Sequence, residues 1–270
     1  MYKLIALDID GTLLNSQKKI TSDVFDSIQK AKKSGAKVVL STGRPLPGVT
    51  PLLNELNLND EGDYVICFNG AVVQEVKSKK VISNIEMTYE DFKNIYEVVK
   101  ELNTKVHINT PTNLITPHKE PSEYTVHESV LNKIPIVYKS EEEINNSITF
   151  CKIMIVDHPE RLEEILKVLP NELHEKYTVV RSAPFFLEFL NKKANKGTAL
   201  KALCNSIDIP IEKTIAVGDE ENDQHMIKMA GLGVAMGNAR DSIKEISDYI
   251  TTSNNDNGVA NVINKFILNK

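Results

Sequence analysis

At 270 residues, with 41% hydrophobic and 26% charged residues, the chain has enough apolar material for one large domain or two smaller ones. A formal net charge of −5 argues against a general affinity for nucleic acid or an anionic membrane, since either needs a basic face. No apolar run reaches the ~18 residues of a membrane span, the N-terminus shows no secretory-signal pattern, and Cys67, Cys151 and Cys204 form no CxxC or zinc spacing, so the expectation is a cytoplasmic protein with buried, reduced thiols.

In chain order, KLIAL reads as a short buried strand that runs straight into Asp8 and Asp10. A helix follows from the Thr21/Ser22 cap to Gly35, then the strand AKVVLST, a helix after Pro45 and the strand DYVICF. Apolar strands alternating with amphipathic helices predict a parallel sheet covered on both faces. The pattern then changes: NGAVVQEVKSKKVISNIEM predicts a hairpin, MTYEDFKNIYEVVKELN a helix, TFCKIMIV and FFLEFL strands, and PERLEEILKVL a helix between them. TPHKEPSEYTVHES is polar and marked by proline, and reads as an exposed excursion. From Asn195 the first pattern returns, with the helix KGTALKALCNSI, the strand TIAVGD ending on Asp219, the helix NDQHMIKMAG, then GLGVAM, DSIKEI, YIT and a last helix. The expected layout is a core of residues 1–84 and 192–270 interrupted by an α+β insert of residues 85–191.

Carboxylates at the end of an apolar strand must be hydrated, paired or bound to a cation. A turn accounts for Asp beside Gly11 when taken alone. A calcium loop does not, because the glycine comes two residues too early for Asp-x-Asp-x-Asp-Gly. Ligands of open α/β sheets gather at the carboxyl ends of the strands. Four polar clusters fall at such ends or at helix starts: Asp8/Asp10, Ser41-Thr42-Gly43, Lys196, and Asp219 with Asn222/Asp223. Crowded carboxylates without His or Cys suit Mg²⁺. A hydroxyl, backbone N–H groups beside a glycine and a lysine suit phosphate. Each cluster alone is weak evidence, since Ser-Thr-Gly often only caps a helix and most lysines are solvated. Gly231, Gly233 and Gly237 lack dinucleotide spacing, no GxxxxGK[ST] occurs, and His127-Glu128 lacks the second histidine of a zinc protease.

DxDGTLL, STGRP, NKG and GDxxND, in this order with a large insert between the second and third, resemble the haloacid dehalogenase (HAD) superfamily. More narrowly they resemble its Cof-type branch, whose cap is inserted after the third core strand. The phrases YTVHES, KYTVV and SAPFFLEFLNKKANKG extend the likeness over almost the whole chain, toward bacterial sugar phosphatases of that branch. The resemblance implies an α/β, Rossmann-like core with helices on both faces plus an inserted α+β cap. It also implies an Mg²⁺-dependent hydrolysis of phosphate monoesters through an aspartyl-phosphate. Asp8 would be the nucleophile and Asp10 the general acid and base. The Ile9 amide, Thr42, Gly43, Lys196 and Asn222 would hold phosphate. Asp8, the Asp10 backbone carbonyl and Asp219 would hold the metal, with Asp223 behind them. Arg44 is read either as a substrate contact or as a partner for a carboxylate.

The expected partner is a small phosphorylated metabolite, a sugar phosphate above all, with no nucleic acid and no membrane, and the chain acting as monomer or homodimer. A phosphomutase or phosphotransferase would use the same aspartyl-phosphate, and a non-catalytic binding protein would keep the fold without turnover. Mutases of this superfamily usually carry an early helical cap, and only a short segment separates Leu14 from Val38.

Overall fold

The computed structural model describes residues 2–269; Met1 and Lys270 lie outside it. In chain order the elements are β1 (Leu4–Leu7), α1 (Ser22–Lys33), β2 (Lys37–Ser41), α2 (Leu46–Glu55), β3 (Tyr64–Cys67), β4 (Val72–Glu75), β5 (Val81–Asn84), α3 (Tyr89–Glu101), β6 (Lys105–Asn109), β7 (Leu114–Thr116), α4 (Glu123–Asn132) and β8 (Ile136–Tyr138). There follow β9 (Lys152–Val156), α5 (Pro159–Val168), α6 (Asn171–Lys176), β10 (Tyr177–Ala183), β11 (Phe186–Asn191), α7 (Lys196–Ser206), β12 (Thr214–Gly218), α8 (Gln224–Met229), β13 (Leu232–Ala235), α9 (Asp241–Glu245), β14 (Tyr249–Ile250) and α10 (Gly258–Phe266). The chain divides into two compact units. Of the described residues, one comprises 2–44, 50–83 and 195–269, and the other Pro45–Val49 and Asn84–Ala194.

The first unit is built on an eight-stranded sheet in the order β14-β13-β12-β1-β2-β3-β4-β5. From β14 to β3 neighbouring strands run parallel. All four residues of β1 are buried, as a strand covered on both faces requires. Leu4 and Ala6 point to one face, where Ala199, Leu200 and Leu203 of α7 and Met226 of α8 pack on them. Each leucine and methionine among them contributes about 1.5–3 kcal/mol on full burial. Helix α1 packs on β2 and on α10. Its N-cap is Thr21, whose hydroxyl accepts from the Val24 amide.

The sheet is not parallel throughout. β4 runs antiparallel to β3, because only the short turn Phe68–Gly70 joins them, far too few residues for a parallel crossover. Asn69 (φ 52°) and Gly70 (φ 97°) take the left-handed conformation that this reversal needs.

The second unit carries a six-stranded sheet in the order β10-β11-β9-β6-β7-β8, mostly antiparallel. Val106, Ile108, Ile153, Ile155, Leu187 and Phe189 on one face form its apolar core with Phe92 and Ile95 of α3 and Leu162 and Ile165 of α5. The polar stretch expected to be an exposed excursion contains α4 instead, with Thr125 and Glu128 buried. Ser122 opens this helix as its N-cap, and polar side chains were no bar to burial because partners await them on the sheet. Cys67, Cys151 and Cys204 are buried and not disulfide-bonded. Among the described residues no helix is long and apolar enough to cross a membrane.

Candidate active site

β12, β1 and β2 are adjacent and parallel, and Leu7 pairs with both Val217 and Leu40. Their carboxyl ends therefore lie at one edge, about 4.8 Å apart from strand to strand. Asp219, Asp8 and Thr42 stand one residue beyond these ends. The chain then turns sharply after Asp8, with the amides of Leu13 and Leu14 donating to the carbonyls of Asp8 (3.2 Å) and Ile9 (2.9 Å). Gly11 makes this possible at φ 84°, and a Cβ there would stand 2.2 Å from Asp219 Oδ2. The turn also brings Thr12 Oγ1 within 2.7 Å of Asp219 Oδ1, to which it donates.

Lys196 is the first residue of α7. Asn195 fixes the helix start, its Oδ1 accepting from the Thr198 amide at 2.9 Å while its own N–H donates to Thr198 Oγ1 at 3.2 Å. The Lys196 side chain is 0% exposed, and its ammonium lies 2.5 Å from Asp8 Oδ1 and 2.7 Å from Asp223 Oδ1. The second oxygen of Asp223 accepts from the amides of Asp219 (3.0 Å) and Glu220 (3.1 Å). One oxygen each of Asp8, Asp219 and Asp223 lies within 4.8 Å of the other two.

Three carboxylates thus face a single ammonium in a buried space. Burial pushes the Asp8 carboxyl up to about 8, with the Lys196 charge pulling down and the Asp223 and Asp219 charges pushing up. Burial likewise lifts Asp219 to about 6, with the Thr12 hydrogen bond opposing and Asp223 adding to it. Burial alone would lower Lys196, but Asp223 and Asp8 outweigh it and hold the ammonium charged. The residues fit a divalent cation on chemical grounds: the donors are all hard oxygens, and with all three carboxylates ionised two negative charges remain after Lys196 is counted.

The other expected site residues form two further groups. The Asp10 side chain is 46% exposed and does not join the buried cluster; Lys18 Nζ (2.8 Å) and Arg44 Nη2 (2.7 Å) hold its two oxygens. Burial tends to raise the Asp10 carboxyl, but the hydrogen bonds and charges of Lys18 and Arg44 hold it below the usual carboxylate range. Of the two readings of Arg44, the structure shows the pairing with a carboxylate. Ile9 is fully buried by its side chain. The Thr42 carbonyl accepts from the Asn69 amide (2.9 Å), and Thr42 Oγ1 accepts from the Arg44 amide (3.2 Å). Asn222 donates through Nδ2 to Asn69 Oδ1 at 3.1 Å, and a Cβ on Gly43 would touch the same Asn69 amide at 3.2 Å. Asn69 therefore links Thr42 to Asn222, through its backbone N–H on one side and its side-chain oxygen on the other, and packs close to Gly43. Sequence reasoning missed it as a site residue, though β3 ends on Phe-Asn-Gly at the same edge as β1, β2 and β12. It missed the roles of Thr12 and Lys18 as well.

Residues 5–263 match the family model described as haloacid dehalogenase-like hydrolase. The chain is 43% identical over 270 residues, all of both proteins, to the "Putative phosphatase YxeH" of Bacillus subtilis (strain 168). It is 32% identical over 266 residues to a second protein of that organism, 5-amino-6-(5-phospho-D-ribitylamino)uracil phosphatase YcsE, covering 98% of this chain and 96% of the other. Among solved structures, a haloacid dehalogenase-like hydrolase from Bacteroides thetaiotaomicron superposes with a TM-score of 0.84 at 34% identity, covering 98% of this chain and 99% of that one.

Proposed function

The chain belongs to the haloacid dehalogenase-like hydrolases, and from that premise we propose that it is an Mg²⁺-dependent phosphatase of small phosphorylated metabolites, sugar phosphates first among them. The observation that carries this reading is the Lys196 ammonium held between Asp8 and Asp223, beside Asp219, at the strand ends. A stability role alone would favour apolar residues there. Asp8 and Asp219 with the Asp10 backbone carbonyl would hold Mg²⁺, which when bound offsets the negative charge of the phosphoryl oxygens.

In this reading Asp8 attacks phosphorus and takes the phosphoryl group, and the ester oxygen leaves. Asp10 in its protonated form gives its proton to that oxygen, and the carboxylate so formed takes one back from the water that attacks the aspartyl-phosphate. Lys196 favours the ionised form of Asp8 against its burial and orients it, and lies beside the oxygens of the transferred group, where charge develops. Thr42, the amides of Ile9 and Gly43, and Asn222 steadied by Asn69 complete the phosphate contacts. Asp223 fixes Lys196 and accepts the amides that shape the Asp219 turn. The inserted unit sets which ester is preferred, and the enzyme acts in the cytoplasm on soluble metabolites. The relative named for a ribityl phosphate supports an ester of a hydroxylated carbon chain.

The test is phosphate release from a panel of sugar phosphates and p-nitrophenyl phosphate by wild type and Asp8→Asn. Wild type is expected to turn over with Mg²⁺, and Asp8→Asn to fall to background with its thermal unfolding intact. An active Asp8→Asn protein would remove the covalent mechanism.

A further inference from the structure

The turn that joins β3 to β4 is left-handed over three successive residues: Phe68 at φ 51°, Asn69 at φ 52° and Gly70 at φ 97°. Asn-Gly supplies the two positive φ angles that a tight hairpin turn asks for. Phe68 adds a third, and reversal of the chain does not account for it. Left-handed backbone sets the Cβ of an L-residue against a carbonyl oxygen, and a bulky side chain there is an outlier. Phe68 is fully buried, so this strain is fixed in the core rather than in a loop tip. Such strain persists only where the surroundings over-determine it, and it gathers at functional sites.

Each of the three residues touches a different part of the site. Phe68 and Asn69 donate their backbone N–H groups to the carbonyls of Arg44 (3.2 Å) and Thr42 (2.9 Å), one on either side of Gly43. In extended backbone successive N–H groups point opposite ways, and a helical angle at Phe68 lets both face the Thr42–Arg44 segment. The Asn69 side chain accepts from Asn222 Nδ2 through Oδ1 at 3.1 Å, and its Nδ2 lies 3.2 Å from where a Gly43 Cβ would stand. Gly70 abuts the start of α7: a Cβ there would meet the Asn195 carbonyl oxygen at 2.1 Å and the Lys196 amide nitrogen at 2.8 Å. Three consecutive residues thus connect Thr42 and Gly43, Asn222, and the helix start that carries Lys196. All of them belong to the first unit.

We propose that Asn69 is a positioning residue for phosphoryl transfer, and that the Phe68–Gly70 turn keeps its strain because it holds Thr42, Gly43 and Asn222 at a fixed spacing from Lys196. This role rests on the phosphatase reading above and adds to it a residue that acts through its neighbours. Charge develops on the phosphoryl oxygens in the transition state, so groups that meet it must stand at set distances before the reaction starts. Lost alignment is then felt more in kcat than in KM. The phosphoryl group is common to every ester, so the loss falls on all substrates alike.

The experiment measures kcat and KM on a sugar phosphate and on p-nitrophenyl phosphate, with thermal unfolding, for wild type, Asn69→Gly, Asn222→Ala and the double variant. Glycine takes φ 52° without strain, so Asn69→Gly deletes the side chain while leaving the turn its conformation. Its melting temperature should stay near wild type. Its kcat should fall about tenfold, the effect of one lost hydrogen bond, by the same factor on both esters and with KM little changed. Because Asn69 acts partly through Asn222, the double variant should lose much less than the product of the two single losses. A folded Asn69→Gly protein with wild-type kcat would overturn the role, and so would one that loses melting temperature alone. Losses that multiply in the double variant would show Asn69 acting independently of Asn222, which also overturns it. These three results leave the phosphatase reading standing; a wild-type protein that hydrolyses no phosphate ester at all would overturn both.

Discussion

Lys196 and Asp223 lie 2.7 Å apart with both side chains fully buried, and the same ammonium reaches Asp8 at 2.5 Å. Removing one partner strands charge in the interior. Lys196→Met is expected to cost about 3–5 kcal/mol of stability and about a hundredfold or more in kcat. Asp223→Asn should be milder in stability, since an amide can still accept from the Asp219 and Glu220 amides. Denaturant unfolding and steady-state kinetics together check this, and a Lys196→Met protein as stable and active as wild type would refute it.

The raised carboxyls of Asp8 and Asp219 give a signed pH dependence. Asp8 moves from 3.8 to about 8 and Asp219 from 3.8 to about 6. The folded chain keeps protons that the unfolded chain has lost, so this contribution is full below about pH 4 and declines as pH rises toward about 8. Asp10, shifted the other way, loses its contribution only as pH falls below about 4. In EDTA the melting temperature should therefore fall between about pH 5 and about pH 8. Mg²⁺ competes with those protons, so the melting gain from millimolar Mg²⁺ should grow over the same window. A gain independent of pH would count against metal binding at Asp8 and Asp219.

Metal removal should abolish activity, and Mg²⁺ should restore it. Ca²⁺ should not, because its larger and more flexible coordination suits the site poorly. Asp219→Ala should raise the Mg²⁺ concentration needed for half-maximal rate. Full turnover in chelator would exclude the proposed cofactor.

Lys18 and Arg44 hold Asp10 from both sides near the surface. Exposed pairs of this kind contribute about 0–1 kcal/mol, so Lys18→Met and Arg44→Ala should unfold almost as wild type does. Their kinetic effect should depend on the leaving group. Alkyl phosphates, whose alkoxide needs a proton from Asp10, should change more than p-nitrophenyl phosphate, whose leaving group needs none. Equal effects on both esters would mean that the two cations do not act through Asp10.

Gly11→Ala should harm both stability and rate. The new methyl would stand 2.2 Å from Asp219 Oδ2 on a backbone at φ 84°. Strain of this kind costs about 1–3 kcal/mol, and relief would displace Asp219 from Thr12. A fall in melting temperature with a raised Mg²⁺ requirement is the expected pair of results; an unaltered Mg²⁺ requirement would show that Asp219 has not moved.

The amino-acid sequence by itself determined what local patterns can specify. Apolar runs such as KLIAL and TIAVG ending on an acid mark strand ends, and Thr21 or Asn195 before an amphipathic run marks a helix start. Both signals are carried by neighbours along the chain, so most elements and the acids at their ends were legible before folding. Only the tertiary structure decided which groups meet. Lys196 was legible as a phosphate-holding group at a helix start, but only helix α7 sets it, without solvent, against Asp8 from 188 residues away and against Asp223. Asn69 reads as a turn residue until β3 takes its place beside β2 and brings it to Thr42 and Asn222. The stretch containing Glu128 reads as solvated because polarity in sequence normally means water. It is buried because Lys152 and Asn109, remote in sequence, wait on the sheet beneath it. Burial of a polar group depends on distant partners, and no local pattern records them.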